Sequence, residues 1–272
     1  MIKRSVITLA SYDAHLLPNS ISSYYEYVDE IIIGLDKDRI SWSNNNFFFD
    51  EEALWKSLSV IDGDNKIEIV EENFHQSEIP IENDNYERNF LKQQCTNDWI
   101  FSFDADEDLV NGKDFFLNFI PIVEPYYNKV DLRFTWFLPF KDLGEDILMI
   151  ANHDGTFSRG DNQGFATSKD KNYVYCRWTD NKKTIATPLA IMHWSFCRNK
   201  KELEMKLNNF GHSDKSKEDP FFHNWNMVDE NNYTQLVNFK TSGMGANQWE
   251  RLIKIPKKHL NEVAQQQAGL VY

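Results

Sequence analysis

Apolar and polar positions alternate along the first half of this chain in a way that separates strands from helices. Residues 5–10, 29–36, 66–70 and 99–103 are short apolar runs rich in Val, Ile and Phe and bounded by polar residues, the pattern of strands buried in a sheet. Residues 11–28 read as a loop followed by an amphipathic segment, and residues 85–95 as a helix. Strands alternating with helices predict an α/β fold with a mixed, mainly parallel sheet flanked by helices. In such an open sheet the ligand crevice lies beyond the carboxyl ends of the strands, where Thr8, Ser11, Asp36 and Asp104 converge.

The second half is more aromatic. Strand-like runs occur at 130–140, 155–164, 173–178 and 191–196, followed by a helix from about 199 to 210, and they complete the sheet and build an acceptor side. From Gly211 onward the chain is polar with scattered aromatics (Phe221, Phe222, Trp225, Trp249), which fits a lid, a packed tail or a partly disordered extension. There is no repeat, low-complexity run or clear linker. The expected organisation is one large domain over 1–210, with a nucleotide-binding half at 1–110 and an acceptor half at 111–210, and an extension of unassigned role at 211–272.

Charge narrows the list of partners. With 29 Lys and Arg against 42 Asp and Glu the net charge is −13, which argues against nucleic acid and against a polybasic membrane anchor. The N-terminal residues carry no signal-peptide pattern, and no stretch is apolar for long enough to span a bilayer, so a cytoplasmic protein is expected, with a peripheral position at a membrane allowed. Cys95, Cys176 and Cys197 lack metal-ligand spacing and read as reduced, buried thiols.

The candidate chemistry sits at the end of the fourth apolar run, Trp99-Ile100-Phe101-Ser102-Phe103-Asp104-Ala105-Asp106-Glu107-Asp108. On an extended strand Asp104 and Asp106 point the same way, so both could grip one divalent cation, with nucleotide phosphates as the third party. A solvated turn or a helix cap is the plainer reading of such a pair. A calcium loop starting at Asp104 fails, because Leu109 stands where glycine is needed and Phe115 where the bidentate glutamate belongs.

Together with Glu87-Arg88-Asn89-Phe90 and Thr96-Asn97-Asp98-Trp99-Ile100, the run Asp104-Ala105-Asp106-Glu107 resembles family 2 glycosyltransferases of the GT-A fold, nearest to the lipopolysaccharide-core type. Met192-His193-Trp194-Ser195-Phe196-Cys197-Arg198, followed by Lys200, Lys201 and Lys206, is similar to that family's strand ending in His before a basic helix. The resemblance covers roughly residues 3–210. It implies an inverting, metal-dependent glycosyltransferase that moves a sugar from a nucleotide-diphosphate donor, most simply a UDP-sugar, to a hydroxyl of a glycan or glycolipid.

It also implies roles. Asp104, Asp106 and His193 would hold Mn²⁺ or Mg²⁺ as Lewis acid at the departing diphosphate; for His193 a satisfied core histidine is the rival reading. Arg88 would face the nucleotide or Asp104, or else pair with Asp84 on its helix. Asp36 would bind base or ribose, or simply form a turn; Thr8 and Ser11 would contact the base. Arg198 and Lys201, in the basic concentration after His193, would reach the diphosphate or line a solvated helix face. For the general base, Asp146 of Gly144-Glu145-Asp146 and Asp154 stand level. Trp136, Trp178 and Trp194 could stack on sugars or belong to the core. Two other classes stay open: a sugar nucleotidyltransferase, although Leu9-Ala10-Ser11-Tyr12-Asp13 lacks the glycines its phosphate loop needs, and a catalytically silent relative that binds glycans.

Overall fold

The computed structural model describes residues 2–160, 163–211, 213, 221–240 and 248–269. The four apolar runs form the parallel half of one large sheet: β1 (Arg4–Ala10), β2 (Glu30–Asp36), β3 (Ile67–Glu72) and β4 (Trp99–Ser102). β1 lies between β2 and β4, with Val6 opposite Ile31 on one side and Phe101 on the other. Between them run α1 (Leu17–Ser22), α2 (Glu51–Ile61) and α3 (Pro80–Gln94).

The sheet continues through the second half. A three-residue β5 (Glu107–Leu109) follows β4, and a short helical stretch at 112–123 leads to β6 (Asp131–Phe137). β7 (Pro139–Asp142) and β8 (Asp146–Ala151) leave for a second sheet; β9 (Gln163–Ser168) returns to the first. A hairpin of β10 (Tyr173–Tyr175) and β11 (Trp178–Thr179) precedes the long β12 (Thr184–His193). The order of the eight strands is β3-β2-β1-β4-β9-β6-β12-β5. β9 runs antiparallel to both β4 and β6, and β5 antiparallel to β12, while β6 and β12 are parallel. The architecture is therefore the expected α/β class: a large, mixed and mainly parallel sheet with helices packed against it.

Most of the expected elements stand within a few residues of their places. The helix expected at 85–95 begins earlier, at Pro80, whose fixed φ and missing N–H suit the first turn. The run at 130–140 divides into β6 and β7. Residues 161 and 162 of the strand expected at 155–164 lie outside the described residues, and the observed strand begins at Gln163.

The C-terminal stretch supplies α4 (Lys200–Asn209), α5 (Phe221–Met227), β13 (Val237–Lys240), β14 (Gln248–Pro256) and α6 (Lys257–Gly269). β14 pairs with β8 from Arg251↔Ala151 to Pro256↔Asp146, so the second sheet runs β13-β14-β8-β7. Leu260, Ala264 and Ala268 of α6, at helical spacing, pack with Phe137, Met149, Ala190 and Met192. The described part of 211–272 is thus a packed tail. Where the sheet meets the 112–123 stretch, Phe101, Phe103, Phe115 and Phe165 form an aromatic cluster with ring centroids 5.8–6.4 Å apart. Such pairs add about 0.5–1.5 kcal/mol each beyond burial.

Candidate active site

The carboxyl ends of β1, β2 and β4 open onto one cavity, lined from β1 by Leu9 and Ala10, with Ser11 following, from β2 by Asp36, and after β4 by Asp104 and Asp106. α3 contributes Asp84, Glu87 and Arg88, β12 contributes His193, and α4 contributes Lys206 and Asn209. Register explains the convergence. β5 pairs His193 with Glu107, and the Trp194 N–H donates to the Asp106 carbonyl at 2.9 Å, so the end of β12 is laid along the acidic turn.

That turn departs from the extended geometry expected of it. β4 ends at Ser102, and the chain bends so that the Glu107 N–H donates to the Asp104 carbonyl (3.2 Å) while Glu107 Oε2 accepts from the Asp104 N–H (3.0 Å). Asp104 and Asp106 consequently face different partners. Arg88 donates from Nε to Asp84 (2.6 Å), from Nη1 to Ser102 Oγ (2.6 Å) and from Nη2 to Asp104 Oδ1 (2.8 Å). Arg177 holds Glu107 through both terminal nitrogens at 2.7 and 2.6 Å and lies 3.4 Å from Asp104 Oδ2. On the other acid, Arg198 Nη2 and Lys206 Nζ both donate to Asp106 Oδ2 at 2.5 Å, and His193 Nε2 lies 3.4 Å from Oδ1.

Burial alone would raise the pKa of either aspartate. Arg177 and Arg88 instead hold Asp104 down at about 2, and Lys206, His193 and Arg198 hold Asp106 well below the usual carboxylate range, so both are ionised. Glu87 behaves oppositely. It is buried, its one hydrogen bond among the described residues comes from Trp42 Nε1 (2.7 Å), and burial with Asp84 nearby pushes it up to about 8.

The expected metal set is brought together but is not open. Asp106 is 3% exposed, and its oxygens face Arg198, Lys206 and His193. Those of Asp104 face Arg88 and Arg177. Among the described residues no group of three or more His, Cys, Asp or Glu is arranged to hold a metal ion. Mn²⁺ or Mg²⁺ would need carboxylate oxygens that fixed cations already occupy.

Of the nucleotide-binding candidates, Ser11, Asp36, Arg88 and Asp104 border the cavity. Asp36 Oδ1 accepts from the N–H of Asp38 and Ile40, and Oδ2 from that of Phe74, so its carboxylate organises the loop after β2. Thr8 is fully buried within β1, off the cavity. Arg198 lies behind Asp106, tied also to Asp13 at 2.8 Å, and borders a second cavity beside Trp194 and Asp108. Lys201 is exposed on α4 and does not border the cavity, because the buried face of that helix is Leu203, Lys206 and Asn209. Neither base candidate reaches it. Asp146 lies on β8 with Lys254 at 3.5 Å, and exposed Asp154 accepts from the N–H and hydroxyl of Thr156, closing a surface turn.

Arg177 is the site residue that pattern reading missed. It sits in the turn between β10 and β11, inside the run at 173–178 that reads as strand, with its guanidinium over Phe134 (5.0 Å) and Trp136 (5.5 Å). A retrospective signal is Gly164 on β9: a Cβ there would lie 2.6 Å from the Arg177 carbonyl oxygen, so glycine lets the hairpin approach the sheet.

No family model matches the chain, and no curated protein matches it. Among solved structures it is similar to S. aureus TarS 1-349 in complex with UDP, at 10% identity and a TM-score of 0.34 over 53% of this chain and 37% of that one. It is also similar to HddC from Yersinia pseudotuberculosis, at 11% identity and a TM-score of 0.38 over 71% of this chain and 94% of that one. The chain thus spans little more than a third of the TarS fragment, and at these scores the likeness carries no functional argument.

Proposed function

We propose that this chain is a glycosyltransferase that takes a nucleotide-diphosphate sugar and passes the sugar to a hydroxyl of a glycan or glycolipid. The observation that carries the reading is the cavity at the carboxyl ends of β1, β2 and β4, where ionised Asp104 and Asp106 are interleaved with Arg88, Arg177 and Lys206. Sugar transfer develops charge on a departing diphosphate, and fixed cations in a water-poor cleft stabilise that charge better than solvent does. The ordered set Glu87-Arg88-Asn89, Asp98-Trp99 and Asp104-Ala105-Asp106-Glu107 supports it, since its arginine and its two acids all border one cavity.

The nucleotidyltransferase reading is weaker on one count. The segment after β1 that borders the cavity, Ser11-Tyr12-Asp13, holds no glycine to wrap a triphosphate in backbone N–H groups. To test the proposal, the protein is incubated with a panel of nucleotide-diphosphate sugars and candidate acceptors. Release of nucleoside diphosphate with a glycosylated product supports it; pyrophosphate release from a nucleoside triphosphate and a sugar phosphate would reassign the chain. Glycan binding without nucleotide binding would identify the silent relative.

A further inference from the structure

The acidic pair is already neutralised by the chain's own cations, and the way each cation is held decides what a ligand can displace. Arg88, Arg177 and Arg198 each grip a second carboxylate (Asp84, Glu107 and Asp13 respectively) as well as Asp104 or Asp106. A divalent ion seated on both aspartates would therefore approach three guanidinia that cannot withdraw without abandoning a buried partner. Lys206 differs. Its ammonium borders the cavity, and Asp106 is its one acceptor among the described residues, which leaves two of its three N–H bonds for a ligand.

We propose that the diphosphate of the donor is bound by Lys206 and Arg88, with Arg177 lining the same cavity as a fixed positive charge, and that nucleotide binding requires no divalent cation. The inference rests on the reading of the cavity as a nucleotide-diphosphate site. Net charge does not draw the anion in, since five carboxylates (Asp13, Asp84, Asp104, Asp106, Glu107) face four cations. The draw is local. Lys206, Arg88 and Arg177 line the same cavity, and Asp104 and Asp106 act as anchors that fix the cations' positions. Lys206 owes its place to α4: Asn199 caps the helix in a reciprocal box with Glu202, and the period that buries Leu203 carries Lys206 inward while Lys201 points to solvent.

The test is calorimetric titration of the whole protein with UDP, GDP, dTDP and CMP, first in EDTA and then with excess Mn²⁺ or Mg²⁺. One nucleotide should bind in EDTA with an affinity within about threefold of that measured with metal. Lys206→Met should weaken that binding by about tenfold to a hundredfold, as expected for one charge-assisted hydrogen bond, whereas Lys206→Arg should stay within about threefold. Should Lys206→Met fail to fold, the EDTA comparison and Lys206→Arg still decide. Binding that tightens tenfold or more with Mn²⁺ or Mg²⁺ overturns the inference and leaves the glycosyltransferase reading standing. Wild-type affinity in Lys206→Met removes that residue from the site. Absence of nucleotide binding under either condition overturns both readings.

Discussion

At the scale of single residues, the paired acids hold the site together. Asp106 is buried and shared by Arg198 and Lys206. Asp106→Ala leaves buried Lys206 without its acceptor and Arg198 with Asp13 alone, and a loss of about 3–5 kcal/mol is expected, read as a lower midpoint in chemical denaturation. A variant with unchanged stability would show that these contacts are not formed in solution. Glu87 makes the complementary prediction for pH. Its carboxyl titrates near 4.5 when unfolded and at about 8 when folded, so the native state binds the extra proton and its stability falls as pH rises through that window. Asp104, held at about 2, acts in the other direction, its contribution being lost only in strong acid. Glu87→Gln should therefore flatten the decline of melting temperature between about pH 5 and pH 8; an identical slope in wild type and variant would mean that Glu87 is charged.

At the scale of elements, α3 explains why pattern reading found its existence but misplaced its start. Its buried face is Asn83, Asp84, Glu87, Arg88, Leu91 and Lys92, all but Leu91 polar, and Asp84, Glu87 and Arg88 border the cavity. A search for apolar periodicity is blind to such a face. The β10–β11 hairpin falls in the strand-like run at 173–178, but the pattern there does not mark the turn that delivers Arg177 against β9. Gly164→Ala puts a methyl group against the Arg177 backbone, and that contact cannot be relieved by turning a side chain. The expected result is a destabilisation of about 1–3 kcal/mol together with weaker nucleotide binding. Unchanged binding in a destabilised Gly164→Ala would separate the hairpin's packing from its role in the site.

At the scale of the whole molecule, the C-terminal elements close the fold. α6 covers the face of β8 and β12 that would otherwise expose Met149 and Met192, and β14 extends the second sheet. Leu260→Ala should cost about 2–3 kcal/mol, with a fall in melting temperature of about 2–4 °C for each kcal/mol in a chain of this size. A change below about half a kcal/mol would mean that α6 is not part of the cooperative unit. Among the described residues no helix is long and apolar enough to cross a membrane.

Local sequence determined the strands at the heart of the parallel sheet and the capped helix carrying Lys206, because each is written in short-range periodicity or a capping pair. Tertiary structure alone decided which polar groups meet. The pairing of β5 with β12 sets His193 beside Asp106, the inward face of α4 selects Lys206 over Lys201, and the hairpin brings Arg177 to Asp104 across 72 intervening positions of chain. Asp146 and Asp154 resemble catalytic acids in their local setting, yet they lie on the second sheet and in a surface turn, away from the cavity. Long-range strand pairing and the burial of charge are collective properties, and no window of sequence contains them.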